Sequence, residues 1–149
     1  SSGIRVSEAV ALNWEDIDFG NQKLHVKDGK GGKERITLLS TKAIMLLKRY
    51  REEREGNKPW VFQTKFRGLN RMSKETIERR IKKLGKKAEI SKKVTPHRLR
   101  HTFATHLLES GMSIDKVQML LGHSNVSTTQ IYAKTNQLDI EHSYRKVFH

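Results

Sequence analysis

Residues 23–39 read Lys-Leu-His-Val-Lys-Asp-Gly-Lys-Gly-Gly-Lys-Glu-Arg-Ile-Thr-Leu-Leu, and this stretch decides the fold class. From Lys23 to Lys27 the residues alternate, with Leu24 and Val26 on one face. From Glu34 to Leu39 they alternate again through Ile36 and Leu38. Alternation of this kind marks half-buried strands. Between the two runs, Asp28 to Lys33 holds three glycines, which is turn composition. The reading is an antiparallel β-hairpin whose tip presents Lys30 and Lys33. Trp60 to Gln63 reads as a third strand, and residues 64–73 as a basic loop.

Outward from the hairpin the periodicity is helical. Residues 4–12 carry Ile4, Val6, Val10 and Leu12, a short helix, and Trp14 to Gly20 is a turn-rich connector. Ser40 caps a helix to about Arg54, with Ala43, Leu46, Leu47 and Tyr50 on its apolar face and Gly56 as its stop. Ser73 caps a helix from Lys74 to Glu89 in which Ile77, Ile81, Leu84 and Ala88 form one face. Arg79, Arg80, Lys82, Lys83, Lys86 and Lys87 form the other. Thr95 followed by Pro96 starts a helix that runs to Ser110 and stops at Gly111. Ser113 caps the next, to Leu121, stopped by Gly122. Ser127 and Gln130 have capping-box spacing for a short helix, and a last amphipathic helix spans Leu138 to Phe148. The expected class is α+β, mostly α-helical, with a small three-stranded antiparallel sheet.

A length of 149 residues suits one domain with its own core. The absence of cysteine excludes disulfide scaffolds, thiolate zinc sites, iron–sulfur clusters and cysteine nucleophiles, and it fits a reducing compartment. No apolar run approaches the roughly 18 residues of a membrane span, and no signal-peptide pattern opens the chain. A cytoplasmic location, with no membrane partner, is the expectation. The net charge is +14, and it is not spread evenly. Residues 21–100 hold 25 basic and 8 acidic residues, a local net of +17, whereas residues 101–149 are neutral. Positive charge so concentrated points to a polyanion, nucleic acid ahead of an acidic membrane surface.

Four places invite chemistry. The glycine turn is not a phosphate-binding P-loop, because no G-x-x-x-x-G-K-[ST] fits it. It is not a dinucleotide fingerprint, because Glu34 stands where the third glycine should be and no helix follows. His97 and His101 share a helix face, which resembles zinc ligation, but Arg98 replaces the glutamate of HExxH and Arg100 crowds the same turn. Guanidinium groups repel a divalent cation and attract an anion. Arg100 offers a planar fork to phosphate oxygens, and His97 sits at the positive end of a helix. The bland alternative is that His97 only caps the helix and Arg100 pairs with an acid. His123 follows a helix-ending glycine, and Tyr132 comes nine residues later. Taken alone, Tyr132 reads first as a packed aromatic. As a nucleophile it needs cationic help, since a phenol ordinarily titrates near 10.

Taken together and in order, Gly3-Ile4-Arg5-Val6-Ser7-Glu8, the GKGGKER run at 29–35, HRLRHTFATHLL at 97–108, Leu121-Gly122-His123 and Tyr132 resemble the catalytic domain of tyrosine recombinases. This is the lambda-integrase superfamily, of the Xer-like kind. The resemblance covers residues 3 to about 148 and treats 1–149 as a single catalytic domain, without the family's N-terminal core-binding domain. It implies a site-specific DNA recombinase or integrase that cleaves and rejoins strands through a 3′-phosphotyrosyl intermediate, with no metal and no ATP. Catalytic roles fall on Arg5, Lys30, His97, Arg100, His123 and Tyr132. Arg5 and Arg100 grip the scissile phosphate, with His97 and His123 adding hydrogen bonds. Tyr132 is the nucleophile and Lys30 the general acid for the 5′-oxygen. Glu8 is expected to be structural or to act behind the arginines, and His101 and His106 to pack or to hydrogen-bond within their helix. Lys33, Arg35, Arg79, Arg80, Lys83, Lys86 and Lys87 are the expected contacts to double-stranded DNA. For the full-length protein the resemblance implies a homotetramer on two DNA sites, leaving a chain of this length able to stand as a monomer. The last helix would reach a neighbour or, through Leu138, Ile140, Val147 and Phe148, pack on its own domain. A type IB topoisomerase, which shares the chemistry, and a non-catalytic DNA-binding module are the competing readings.

Overall fold

A computed structural model of the chain describes residues 2–27, 34–65, 68–122 and 137–148, with side chains from residue 139 onward in the last segment. Lys30, Lys33, His123 and Tyr132, the hairpin tip, the helix expected around Ser127 and Gln130, and the Leu138 side chain lie outside the described residues.

The hairpin is present. Strand β2 (Lys23–Val26) pairs antiparallel with β3 (Arg35–Leu38), setting Leu24 opposite Thr37 and Val26 opposite Arg35. Leu24 and Val26 are buried, as their alternation requires. In β3 the alternation breaks. Thr37, Leu38 and Leu39 are all buried, and the Thr37 hydroxyl donates to the Ser2 carbonyl at 3.1 Å. The third strand of this sheet is β1 (Ile17–Asp18), on the far edge of β2. The segment from Trp60 to Gln63, expected in that place, goes elsewhere. Trp60 bridges to Asn13, and Gln63–Thr64 (β4) pairs with Asn70–Arg71 (β5) inside the expected basic loop. A connector with polar turn residues hides a two-residue strand, because the alternation of Ile17 and Phe19 is too short to stand out among Asp16, Asp18 and Gly20.

The helices start where their caps predict. The first, α1, runs Val6–Ala11. Ser40 Oγ accepts from Ala43 N–H at 3.2 Å to open α2 (Thr41–Glu53), and Ser73 Oγ accepts from Thr76 N–H at 3.3 Å to open α3 (Lys74–Lys87). Thr95 Oγ1 accepts from Arg98 N–H at 3.2 Å to open α4 (Pro96–Glu109), with Pro96 in the first turn. Next comes α5 (Ile114–Leu121), where Ser113 stands at the N-cap but its side chain makes no cap hydrogen bond; it ends on left-handed Gly122. Helix α6 (Gln137–Val147) follows.

Two apolar clusters hold the domain. One joins the sheet to α2 through Leu24, Val26, Ile17, Trp14, Ile44 and Val61. The other joins α4, α5 and α6 through Phe103, Leu107, Leu120, Leu121, Ile140 and Tyr144. Val147 and Phe148 pack against this second cluster, and Tyr144 Oη donates to the Leu38 carbonyl at 3.2 Å. The last helix therefore packs on its own domain. Two expected apolar faces are only partly covered. Leu46 of α2 and Leu84 of α3 are 58% and 64% exposed, and Ala88 is exposed. They flank an open apolar groove of about 580 Å³ between α2, α3 and α4, whose walls also include Tyr50, Ile77, Ile81 and Leu99.

Candidate active site

The site is built on one helix end. The last carbonyls of any α-helix lack intrahelical partners and carry partial negative charge, so they attract cations. At the C-terminus of α5, three consecutive carbonyls each receive an arginine. Leu120 O accepts from Arg35 Nε at 3.0 Å, Leu121 O from Arg100 Nη2 at 2.6 Å, and Gly122 O from Arg5 Nη2 at 3.0 Å. Arg100 also donates to the Gly3 carbonyl, which ties α4 to the chain just before α1. Residues from four parts of the sequence meet here.

Glu8 sits beneath this group, 4% exposed. It occupies the third position of α1 and accepts from the Arg5 backbone N–H at 2.7 Å, half of a capping box, and from Arg5 Nη1 at 2.9 Å. Arg35 approaches with both terminal nitrogens, at 2.7 and 2.8 Å from the two carboxylate oxygens. An ionised carboxylate has about four acceptor sites, and four N–H groups fill them. Burial pushes the Glu8 carboxyl up, but the Arg35 hydrogen bonds and charge, with the Arg5 bonds, override it and hold the pKa at about 2. Arg100 goes the other way. Burial and the nearby charges of Arg5 and Arg35, partly offset by Glu8, lower its pKa to about 10. It remains a cation at neutral pH. Three guanidinium groups share one carboxylate, so the cluster carries uncompensated positive charge that an anion would relieve.

Of the sequence candidates, the structure brings Arg5 and Arg100 together. His97 lies exposed in the first turn of α4, one turn before Arg100. Arg79, Arg80, Lys83, Lys86 and Lys87 are exposed along α3, with Arg80 also on the groove wall. Arg35 differs from its expected place. Its side chain is only 10% exposed, and it faces Glu8 and the α5 terminus rather than solvent. The reason is local: Glu8 is a buried anion that needs a second cation. Sequence reasoning did not link Glu8 to Arg35; the local signal is limited to a glutamate three residues after the N-cap, the spacing at which its carboxylate reaches back to the Arg5 N–H. Among the described residues, no group of three histidine or acidic side chains could hold a metal ion.

Comparison with known proteins identifies the family and the fold. The phage integrase family model matches residues 1–138. The chain is 42% identical over 146 residues to tyrosine recombinase XerA of Pyrococcus horikoshii, covering 97% of this chain and 50% of that protein. It is 40% identical over 144 residues to tyrosine recombinase XerC of Chromobacterium violaceum, covering 95% and 46%. A crystal structure of XerA recombinase superposes with a TM-score of 0.76 at 40% identity, covering 96% of this chain and 53% of that one. XerH bound to its difH substrate before cleavage superposes with a TM-score of 0.68 at 27% identity, covering 90% and 40%. The chain thus spans about half the length of the curated relatives it matches. With the ordered arginines, their shared helix end and these similarities in hand, the chain belongs to the phage integrase family, and its fold is that of a Xer-like tyrosine-recombinase catalytic domain.

Proposed function

We propose that residues 1–149 form the catalytic domain of a site-specific DNA recombinase, which cleaves and rejoins DNA strands through a 3′-phosphotyrosyl intermediate without metal or ATP. One observation carries the reading: Arg5 and Arg100, far apart in sequence, are fixed on adjacent carbonyls of one buried helix end with positive charge to spare. Donors held in advance where charge develops are the most effective form of transition-state stabilisation, because they need no reorganisation during the reaction.

Arg5 and Arg100 grip the non-bridging oxygens of the scissile phosphate. His97, in the first turn of α4, adds a hydrogen bond and helps take the proton from the attacking phenol. The Tyr132 oxygen bonds to phosphorus as the bond to the 5′-oxygen breaks. Lys30 gives that oxygen its proton, and His123 adds a further hydrogen bond to the phosphate. The phosphodiester is conserved as a protein–DNA ester, and attack by the 5′-hydroxyl of a partner strand reverses the step. The exposed cations of α3, with Lys33, face the phosphate backbone of double-stranded DNA. Solved relatives bound to DNA support this: XerH with difH, and the Tn1549 transposon integrase with circular intermediate DNA. A homotetramer on two DNA sites for the longer protein, and a cytoplasmic location, go with this reading. No helix among the described residues is long and apolar enough to cross a membrane. Relatives named as recombinases and integrases favour strand exchange over topoisomerase-like relaxation.

The test is a nicked suicide duplex incubated with the protein in EDTA and run on a denaturing gel. The wild-type chain is expected to form a covalent adduct, Tyr132→Phe to form none while still binding DNA, and Tyr50→Phe to behave as wild type. An adduct that survives in Tyr132→Phe sinks the assignment.

A further inference from the structure

Arg35 is a buried cation to which the chemistry above gives no task. It opens β3 beside Val26, a place from which a long charged side chain ordinarily reaches into water. Instead its guanidinium lies flat against Glu8, with Nη1 and Nη2 at 2.7 and 2.8 Å from the two oxygens, and its Nε donates to the Leu120 carbonyl. The same two Glu8 oxygens hold Arg5, one by its Nη1 and one by its backbone N–H. We propose that Arg35 is a positioning residue for Arg5: it clamps the Glu8 carboxylate in one plane, and the carboxylate in turn aims the Arg5 guanidinium.

The physical argument has three parts. The terminal torsion of a glutamate is broad, so one partner does not fix the carboxylate plane, whereas a two-bond guanidinium fork does. Without Arg35 the buried Glu8 loses two of its four hydrogen bonds and the nearest charge that keeps it ionised. A protonated Glu8 offers Arg5 a weaker and differently shaped acceptor. Arg35 is itself held firmly, because its Nε sits on the carbonyl two residues before the one that receives Arg5. Clamp and gripping arginine are thereby referenced to one helix end.

The proposal rests on the reading of Arg5 as a phosphate-gripping residue, and the experiment separates the two. Single-turnover cleavage of the suicide duplex at saturating DNA is measured for wild type, Arg35→Ala, Arg5→Ala and the double variant, with DNA affinity measured alongside. Arg35→Ala is expected to slow cleavage by about 10²-fold, the usual scale for loss of one oriented oxyanion donor, with affinity within about 3-fold of wild type. In the Arg5→Ala background the same change is expected to cost less than about 3-fold, because residues acting as one unit are strongly non-additive. Equal slowing in both backgrounds overturns the proposal, since loss of folded protein acts alike in each. Rescue of Arg35→Ala by a sulfur in place of the 5′-bridging oxygen also overturns it, because Arg35 would then serve the leaving group. If Arg35→Ala does not fold, Arg35→Lys, which keeps a charge opposite Glu8, carries the cycle with the same criteria and an expected slowing of about 10-fold. A wild-type chain that forms no adduct on either substrate removes the recombinase reading, and this proposal with it.

Discussion

Replacing Gly122 with alanine tests the α5 terminus directly. Gly122 caps the helix at φ 66 and ψ 50, in the left-handed region. Holding a residue with a Cβ there costs about 1–2 kcal/mol. A second cost comes from packing. A Cβ on Gly122 would stand 2.7 Å from Arg35 Cδ, 2.8 Å from Nε and 3.0 Å from Cζ. Arg35 cannot swing aside freely, because three of its nitrogens are bound. Deleting one partner of a buried ion pair costs about 3–5 kcal/mol, and displacing it without deletion is expected to cost roughly half of that. Gly122→Ala is therefore expected to lose about 2.5–4.5 kcal/mol in all. Gly111 is the control: it has φ 86 and nothing within 4 Å of its would-be Cβ. Gly111→Ala carries the backbone strain alone, about 1–2 kcal/mol. Urea titrations followed by fluorescence of Trp14 and Trp60 measure both. In an Arg35→Ala background the excess cost of Gly122→Ala should vanish. Equal losses for the two alanine variants in the wild-type background would refute the idea that Gly122 makes room for the Arg35 guanidinium.

Acid stability tests Glu8. Its pKa is lowered from 4.5 to about 2, so its contribution is complete above the unfolded value near 4.5 and fades as the pH falls toward 2. The amplitude is about 3 kcal/mol. The urea midpoint of the wild type should fall over this window, and that of Glu8→Gln should change much less there; parallel curves would show that Glu8 is not the titrating group. Arg100→Ala should slow cleavage by at least ~10²–10³ with modest loss of DNA affinity, and matching losses in rate and affinity would mark a uniform binding contact instead. DNA affinity should fall steeply with salt, and the joint change of Lys83, Lys86 and Lys87 to glutamine should flatten the log–log slope by about 0.9 for each phosphate no longer neutralised. An unchanged slope takes this face of α3 off the DNA.

How much was legible in the sequence depended on the range of the forces involved. Ser40, Ser73 and Thr95 cap their own helices by accepting from backbone N–H groups three residues on, so the starts of α2, α3 and α4 were legible from short-range pattern. The β2–β3 hairpin was legible for the same reason. Ile17–Asp18 was not, because a two-residue strand exists only by virtue of the neighbour it pairs with. Arg5 and Arg100, which meet at the α5 terminus, were visible as motif and resemblance. The inward turn of Arg35 was not, since charge on a hairpin reads as solvent-facing until the buried acid opposite it is known. The exposed face of Leu84 marks a similar limit: helical period identifies an apolar face, not what covers it.

The seating of three arginines on the successive carbonyls of Leu120, Leu121 and Gly122 has an engineering consequence. Neighbouring residues of an α-helix are turned by about 100°, so the seats of Arg35 and Arg100 follow from helical pitch and that of Arg5 from the left-handed cap at Gly122, which together set the fan of the guanidinium groups. Its calibration lies in the hydrophobic seat of α5, where Val117, Leu120 and Leu121 are 3%, 1% and 4% exposed. Rewriting the exposed cations of α3 to change how tightly a polyanion is held should leave that calibration intact. A methyl group added or removed under α5 should detune it, and the damage should surface as a lost reaction rate in a protein that still binds its substrate.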